Sequence, residues 1–158
     1  MKLGIISDSH GDTINLEKAV KAMGHIDILI HAGDTYNDAM YLKEKFDLEV
    51  VGVKGNTDLF SNGVSETTFK LRGKKILLTH GHKYGIKYSL DKLYYKSLEL
   101  NADIVIFGHS HIPCYLEENG VIFINPGSVS RPRGGSGPSY AIMEIKADGV
   151  EVKIQELV

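Results

Sequence analysis

The chain has 158 residues, of which 42% are hydrophobic and 24% charged, and its formal net charge is −2 at pH 7. This length suits one domain, residues 1–158, with a core large enough to fold without disulfides. The balanced charge argues against an extended nucleic acid or a membrane surface as partner. Cys114 is the only cysteine, so no internal disulfide can form. The N-terminus lacks the apolar core of a secretory signal, so we expect a cytoplasmic protein.

The first half of the chain alternates strand and helix patterns. Short apolar runs predict three strands, over 1–7, 26–32 and 49–53. Asp12 or Thr13 can cap a helix that ends at Gly24. Asn37 can cap a second helix, which reaches Phe46. This βαβαβ order predicts a parallel sheet with right-handed crossover connections.

The second half has mainly antiparallel patterns. Turn residues between apolar runs predict three hairpins, over 67–79, 114–125 and 140–155. Ser89 can cap a helix with one apolar face, and 103–107 is a further strand. We expect the C-terminal third to form a β meander. The whole pattern predicts an α/β fold in which two sheets pack face to face and helices cover them.

Residues that can bind a metal follow the ends of the predicted strands. The seven candidate ligands are Asp8, His10, Asp34, Asn56, His80, His109 and His111. Ligands of open α/β sheets bind beyond the carboxyl ends of the strands, so these side chains should meet at one edge. Carboxylates, imidazoles and a carboxamide without any thiolate suit Mn, Fe, Co, Ni or Zn, and we expect manganese to be the preferred ion.

Seven ligands are more than one ion needs. Two divalent ions that share a carboxylate would use all of them, and such pairs recur in enzymes that displace a group at phosphorus. Each residue alone has an ordinary explanation, because carboxylates cap helices, asparagine forms turns, and a single histidine is more often a packed or surface residue. Four histidines together at strand ends are not explained in this way.

The order of the motifs resembles that of a known family. The matching segments are Asp8-x-His10, Gly33-Asp34, Gly55-Asn56-x-Asp58, His80-Gly81-His82 and Gly108-His109-Ser110-His111. They resemble the motif series of the calcineurin-like metallophosphoesterases. The short chain and the segment Asn125-Pro126-Gly127-Ser128 resemble the small phosphodiesterases of the YfcE type within that superfamily. The resemblance extends from Asp8 to at least Arg133 and implies an α/β/β/α sandwich.

The resemblance also implies a ligand assignment and an activity. Asp8, His10, Asp34 and His111 would hold a first ion, and Asp34, Asn56, His80 and His109 a second. Asp34 would bridge the two ions, and Asp34, Asn56 and His109 would be the catalytic residues. A hydroxide held between two ions would attack the phosphorus of a small phosphodiester, with no covalent enzyme intermediate.

One position departs from the superfamily pattern. Many members carry a histidine between the asparagine and the acidic residue of the third motif, where it can protonate the leaving group. This chain has Thr57 there, and a threonine hydroxyl cannot act as a general acid near pH 7. We therefore expect aryl esters, whose leaving groups need little protonation, to be cleaved much faster than alkyl esters. The small YfcE-type members commonly lack this histidine as well.

Several nearby residues are candidates for other roles. The guanidinium groups of Arg131 and Arg133 could bind the phosphate or the rest of a diester. Two arginines in such a loop are also commonly just solvated, and this alternative is slightly favoured for Arg133. His82 could contact substrate or could support the ligand loop. Asp58 should brace its own loop, and the tyrosines of residues 83–96 could form a contact in a homo-oligomer.

Three functions stay open on the sequence. The first is a metal-dependent phosphodiesterase. The second is a non-catalytic scaffold, because one subunit of the retromer sorting complex resembles these enzymes in fold and works through protein contacts. The third is a phosphomonoesterase or nuclease of the same fold. The complete ligand set favours an enzyme, and the lack of a basic stripe argues against a long nucleic-acid substrate.

Overall fold

The structure is a computed structural model that describes residues 1–158. Its strands are β1 (Lys2–Ile6), β2 (Ile28–His31), β3 (Val50–Gly52), β4 (Glu66–Leu71), β5 (Lys74–Thr79), β6 (Ile104–Ile106), β7 (Cys114–Glu118), β8 (Val121–Asn125), β9 (Ser139–Lys146) and β10 (Gly149–Glu156). Its α-helices are α1 (Thr13–Met23), α2 (Tyr36–Phe46) and α3 (Asp91–Glu99), and a short 3-10 helix covers His82–Tyr84. None of the helices has the length and apolar character needed to cross a membrane.

The strands form two mixed sheets of five strands each. The first has the order β10-β9-β1-β2-β3 and the second β4-β5-β6-β8-β7. Strands β1, β2 and β3 are parallel, as are β5, β6 and β8 in the second sheet. The expected C-terminal meander is wrong, because hairpin β7–β8 joins the second sheet whereas β9–β10 joins the first. The chain changes sheet in the segment 126–138.

Three apolar layers hold the fold together. Alternate residues of the strands point between the sheets, where Leu3, Ile5 and Ile106 belong to one fully buried cluster. The other faces bind the helices: the residues of α1 and α2 pack on the first sheet, and Leu93 of α3 packs with Phe123 on the second. The predicted α/β/β/α sandwich is confirmed.

The caps at the helix N-termini agree only in part with those expected from the sequence. Asp12 caps α1 as expected, since its Oδ1 accepts a hydrogen bond of 3.0 Å from the Asn15 N–H. The expected cap at Asn37 is wrong, because α2 begins at Tyr36 and its N-cap position is Thr35, two residues before Asn37. The Tyr36 N–H donates instead to Oδ1 of the distant Asp58, at 2.9 Å, and no local side chain caps the helix.

The strand ends of the two sheets are tied together by hydrogen bonds. The Asp8 N–H donates to the Gly33 carbonyl at 2.9 Å, which joins the ends of β1 and β2. The Gly108 N–H donates to the His80 carbonyl at 3.1 Å and joins the ends of β5 and β6. The His109 N–H donates to Oδ2 of Asp8 at 3.0 Å and connects the sheets. The loops after these strands therefore meet at one edge of the sandwich.

Candidate metal centre

A first group of ligand atoms gathers where β1 and β6 end. One atom from each of Asp8, His10, Asp34 and His111 lies within 4.8 Å of the others. Nε2 of His10 is 3.4 Å from Nε2 of His111 and 3.7 Å from Oδ2 of Asp34. Asp8, Asp34 and His111 are buried and His10 is half-buried. Two imidazole nitrogens and two carboxylates at this spacing can hold one divalent ion.

A second group surrounds His80, which is fully buried. Nε2 of His80 is 3.1 Å from Oδ1 of Asn56 and 3.3 Å from Oδ1 of Asp34. The ring of His109 lies beside it, with the two ring centroids 5.1 Å apart. Asp34 belongs to both groups, because its Oδ2 faces His10 while its Oδ1 faces His80. The fold thus brings all seven sequence candidates to one place.

Two histidine rings are oriented by backbone carbonyls. Nδ1 of His80 donates to the Ala32 carbonyl at 2.7 Å, and Nδ1 of His111 donates to the Arg131 carbonyl at 2.6 Å. A carbonyl can only accept, so Nδ1 carries the proton and the neutral ring presents the Nε2 lone pair to the cluster. Metal-ligating histidines are held in this way in many proteins.

One carboxylate oxygen shows that the cluster suits a cation. Oδ1 of Asp8 is buried and receives no hydrogen bond, although Oδ2 accepts from the Ser7 hydroxyl and the His109 N–H. Its neighbours are Nε2 of His111 at 3.3 Å and Nε2 of His80 at 3.7 Å, which present lone pairs when neutral. A buried anionic oxygen without a donor is costly, and a bound cation would remove that cost.

The charges of the cluster are coupled. Burial opposes ionisation of Asp34, but the His80 ring in its protonated form and the Thr57 N–H outweigh it and hold the pKa of the carboxyl below its usual value. Burial also disfavours a charged His80, yet Asp34 and Asp8 raise the pKa of its ring. Burial, together with His80 and Lys87, lowers the pKa of His109 to about 4. The ring of His109 is therefore neutral at pH 7, as a metal ligand must be.

The ligands have an uncommon backbone conformation. Ten residues other than glycine have positive φ, and five of them are ligand candidates: Asp8, His10, Asp34, His109 and His111, with φ between 48° and 68°. Aspartate and histidine enter this left-handed region more readily than most residues, but each still costs about 1 kcal/mol. Such strain concentrates at functional sites, because the turn after each strand must direct its side chain into the cluster.

Glycines leave the space that the ligands occupy. A Cβ atom on Gly33 would lie 2.6 Å from Nδ1 of His80, and one on Gly55 would overlap the carboxylate of Asp34. A Cβ on Gly108 would overlap the Ser7 hydroxyl and crowd Asp8. The glycine that precedes a ligand in three of the motifs is thus required by close packing in the cluster.

Buried polar side chains brace the ligand loops. Nδ2 of Asn125 donates to the Gly108 carbonyl and to the Ser110 hydroxyl, both at 3.0 Å. The Ser128 and Ser130 hydroxyls donate to the Asp8 carbonyl at 2.7 and 2.9 Å. The Asn125-Pro126-Gly127-Ser128 segment therefore fixes the loops of Asp8 and His109 rather than supplying a ligand.

Asp58 and His31 have supporting positions. Oδ2 of Asp58 accepts from the Gly55 N–H at 2.8 Å, so the expected bracing of its loop is confirmed. His31 is fully buried; its Nδ1 accepts from the Gly33 N–H, and its Nε2 bonds the Ser9 hydroxyl, which donates to Asp38. Both residues hold the backbone on either side of Asp34 without entering the cluster.

A cavity of about 180 Å³ opens over the ligands. Beside the ligands, Thr57, Lys87, Arg131 and Arg133 line it. Both arginines that the sequence offers as phosphate contacts, Arg131 and Arg133, lie at the cavity, although a solvated position was slightly favoured for Arg133. No sequence motif points to Lys87. His82 does not line this cavity; its ring centroid is 5.5 Å from that of His80, and its Nδ1 is buried without a hydrogen-bond partner.

Comparison with known proteins identifies the family. The model of the calcineurin-like phosphoesterase superfamily domain matches residues 1–148. The chain belongs to the calcineurin-like phosphoesterase superfamily. The family and the cluster of Asp8, His10, Asp34 and His111 together support a phosphoesterase that uses a divalent metal.

Relatives of this phosphoesterase cover almost its whole length. It is 38% identical to the Bacillus subtilis protein named "Probable metallophosphoesterase YsnB" over an alignment of 158 positions, which covers 99% of this chain and 91% of the relative. It is 28% identical to phosphodiesterase YfcE of Escherichia coli, with 91% of this chain and 88% of the relative covered. The predicted resemblance to the YfcE type is confirmed.

Solved structures give the same fold. A Streptococcus pneumoniae protein described as a predicted phosphoesterase has a TM-score of 0.85 and 32% identity, and 99% of this chain and 92% of that chain are covered. Vps29 of Entamoeba histolytica, solved in complex with Zn²⁺, has a TM-score of 0.78 at 23% identity, with both chains fully covered. At that identity the second likeness describes the fold alone.

Proposed function

We propose that this chain hydrolyses small phosphodiesters with two divalent metal ions, manganese by preference, held by Asp8, His10, Asp34, Asn56, His80, His109 and His111. The observation that carries the proposal is the division of one carboxylate between two sets of ligands. Oδ2 of Asp34 is 3.7 Å from Nε2 of His10, and Oδ1 is 3.3 Å from Nε2 of His80. A carboxylate in this position is suited to bridge a pair of ions.

The chain's own residues would hold the metals and attract the substrate. When bound, divalent ions polarise phosphoryl oxygens and lower the pKa of water, which makes water a nucleophile at neutral pH. The ring of His109 stays uncharged, and the carbonyls of Ala32 and Arg131 keep His80 and His111 in the orientation that a metal requires. Asp8 and Asp34 carry less negative charge than two divalent ions would add, so the site would stay cationic and attract a phosphodiester anion.

Lys87, Arg131 and Arg133 would add positive charge around the substrate. They line the same 180 Å³ cavity as the ligands. Their side chains can donate hydrogen bonds to the non-bridging oxygens of the phosphate, and guanidinium groups can do so with two donors at once. The volume suits a phosphoryl group and is below the roughly 300 Å³ of a typical site for a whole drug-sized ligand. This supports a small substrate that enters the ligand cluster with its phosphate.

A scaffold function is the alternative from another class. The fold is shared with Vps29, and several large apolar side chains are exposed, including Tyr95 and Leu98 on α3 and Tyr115 and Leu116 on β7. Such side chains are common at protein contacts. The ligand cluster favours the enzyme instead, because a scaffold has no need for an unpaired buried oxygen on Asp8 or for strained ligand backbones.

A screen of metals against substrates tests the proposal. Purified protein is stripped with chelator and supplied with Mn²⁺, Ni²⁺, Co²⁺, Fe²⁺ or Zn²⁺. The substrates are bis(4-nitrophenyl) phosphate, 4-nitrophenyl phosphate, cyclic nucleotides and short oligonucleotides. We expect metal-dependent hydrolysis of the diester and much slower hydrolysis of the monoester. A monoester or oligonucleotide preference would assign a different esterase activity, and no hydrolysis with any metal would favour the scaffold.

A further inference from the structure

A second cavity lies next to the ligand cluster. Its volume is about 410 Å³, more than twice that of the cavity over the ligands. Its wall is mainly apolar and is made by Ile86, Leu90, Phe107, Ile112 and Cys114. Phe107 and Ile86 belong to the packed cluster between α3 and the second sheet, so this part of the wall is rigid. The cavity is large enough for one aromatic ring and its substituents.

Two cationic residues connect the cavities. Lys87 and Arg133 line both the cavity over the ligands and the apolar cavity. The Arg133 N–H donates to the His111 carbonyl at 3.0 Å, which fixes the backbone of the arginine beside a ligand. Ser110 and Ile112, on either side of His111, face the apolar cavity. A molecule with its phosphate among the ligands can therefore extend past these cations into the apolar space.

The apolar cavity offers few free polar groups. The Ser110 hydroxyl is its one uncharged oxygen-bearing side chain, and it is already bonded to Asn125 Nδ2 at 3.0 Å and to the Ile112 N–H at 3.2 Å. Cys114 adds a thiol, which behaves as a small apolar group. The other hydrogen-bonding side chains of the wall, Lys87 and Arg133, are cationic donors at the junction with the cavity over the ligands. A nucleobase or sugar would therefore lose its hydrogen bonds with water and find few replacements along the apolar wall. The cavity favours a plain aromatic or alkyl group.

We propose that the apolar cavity binds the organic group of the substrate that is not released, and that it selects phosphodiesters carrying an aromatic or similar apolar substituent. This proposal rests on the proposed phosphodiesterase function. The phosphate would lie at the ligand cluster, Lys87 and Arg133 would flank its negative charge, and the apolar substituent would pack against Leu90, Ile112 and Cys114. Burial of the ring away from water provides the selectivity.

A pair of esters with one leaving group measures this selectivity. Phenyl 4-nitrophenyl phosphate and methyl 4-nitrophenyl phosphate both release 4-nitrophenolate, and they differ only in the retained group. We expect kcat/KM with Mn²⁺ to be at least about tenfold higher for the phenyl ester. Leu90→Ala should lower this ratio severalfold. Leu98→Ala is the matched control, because Leu98 is exposed on α3, which begins directly after the cap residue Leu90, and does not line the cavity.

A binding measurement tests the cavity without turnover. Diphenylphosphinate and dimethylphosphinate carry the same anionic group and cannot be hydrolysed, since their carbon–phosphorus bonds are stable. Cys114 is the only cysteine and lines the cavity, so its alkylation by iodoacetamide reports on occupancy. In the Mn²⁺-loaded protein we expect diphenylphosphinate to slow alkylation severalfold and dimethylphosphinate to have little effect. Leu90→Ala should weaken this protection, and Leu98→Ala should retain it.

The two experiments separate failure of the cavity from failure of the function. Hydrolysis of both esters with equal kcat/KM, unchanged in Leu90→Ala, would overturn the cavity proposal and leave the phosphodiesterase intact. Hydrolysis of neither ester would overturn the phosphodiesterase. Equal protection of Cys114 by the two phosphinates, or none by either, would overturn the cavity proposal in every case. Thermal unfolding of Leu90→Ala confirms that the variant is folded.

Discussion

Oδ1 of Asp34 lies 3.3 Å from Nε2 of His80, and the two side chains come from the ends of strands in different sheets. Each sheet alone would hold only part of the ligand cluster, so packing of the two sheets is what assembles it. The other carboxylate oxygen of Asp34 faces His10. His10 follows β1, which neighbours β2 in the same sheet. The metal centre and the sandwich are thus built by the same contacts, and changes in one should be measurable in the other.

Asp8→Asn should separate stability from metal binding. In the metal-free protein the buried Oδ1 has no donor, whereas an amide could donate to the lone pair on Nε2 of His111 or His80. We expect the metal-free variant to be as stable as the wild type within about 1 kcal/mol, or more stable. Mn²⁺ should raise the Tm of the wild type and have much less effect on the variant. Thermal unfolding with and without Mn²⁺ measures both, and a large metal-free loss of stability would contradict the prediction.

Gly33→Ala should weaken metal binding through His80. The new methyl group would lie 2.6 Å from Nδ1 of His80 and displace the ring from the Ala32 carbonyl. We expect an affinity loss of about 10- to 100-fold, the range found when a residue that orients a metal ligand is changed. Gly73→Ala is the matched control: Gly73 also has positive φ, +79°, but has no atom within 4 Å of the new methyl group. The Gly73→Ala variant should lose stability but keep its metal affinity. Calorimetric titration with Mn²⁺ measures the affinities of both variants, and equal affinity losses in the two would argue against the prediction.

The leaving group should control the rate of hydrolysis. Thr57 lines the cavity over the ligands at the position where many superfamily members carry a histidine, and its hydroxyl cannot supply a proton near pH 7. We expect bis(4-nitrophenyl) phosphate to be hydrolysed at least about 10²-fold faster than dimethyl phosphate relative to their uncatalysed rates. Thr57→His should raise the rate for alkyl esters more than for aryl esters. Similar normalised rates for both esters would mean that another residue acts as the acid.

The reactivity of Cys114 should depend on pH in the folded state. Burial raises the pKa of the Cys114 thiol above its usual value, so a smaller fraction is thiolate at pH 8 than in an exposed cysteine. Since the thiolate is the reacting form, alkylation of the folded protein should be slower than that of the urea-unfolded protein at pH 8. The difference should shrink as the pH rises above the raised pKa. Equal rates at pH 8 would show that the thiol is not shielded.

The convergence of the seven candidate ligands was predictable, because their positions follow from strand ends. Apolar runs with a terminal aspartate or histidine indicated where β1, β2, β5 and β6 finish, and parallel strands must bring such ends together. The left-handed backbone at Asp8 and His109 could not be predicted, because no residue type demands it there and tertiary contacts impose it.

Other features depend on long-range contacts that no local pattern encodes. The cap of α2 comes from Asp58, more than twenty residues away, so the local rule that favoured Asn37 failed. The separation of the C-terminal hairpins into different sheets depends on which edge strands are free. Lys87 and Arg133 have long side chains in connecting segments. Their position between the two cavities depends on how these segments fold, which no local sequence pattern indicates.

The number of divalent ions bound per chain tests the central claim most directly. Calorimetric titration of chelator-treated wild type with Mn²⁺ should give two equivalents, and diester hydrolysis should require both. Asp34→Ala should lose both equivalents and all activity, because it removes the carboxylate shared by His10 and His80. Asp91→Ala, which removes an exposed carboxylate on α3, should behave as the wild type. A single equivalent in the wild type, or hydrolysis that persists in excess chelator, would contradict the account.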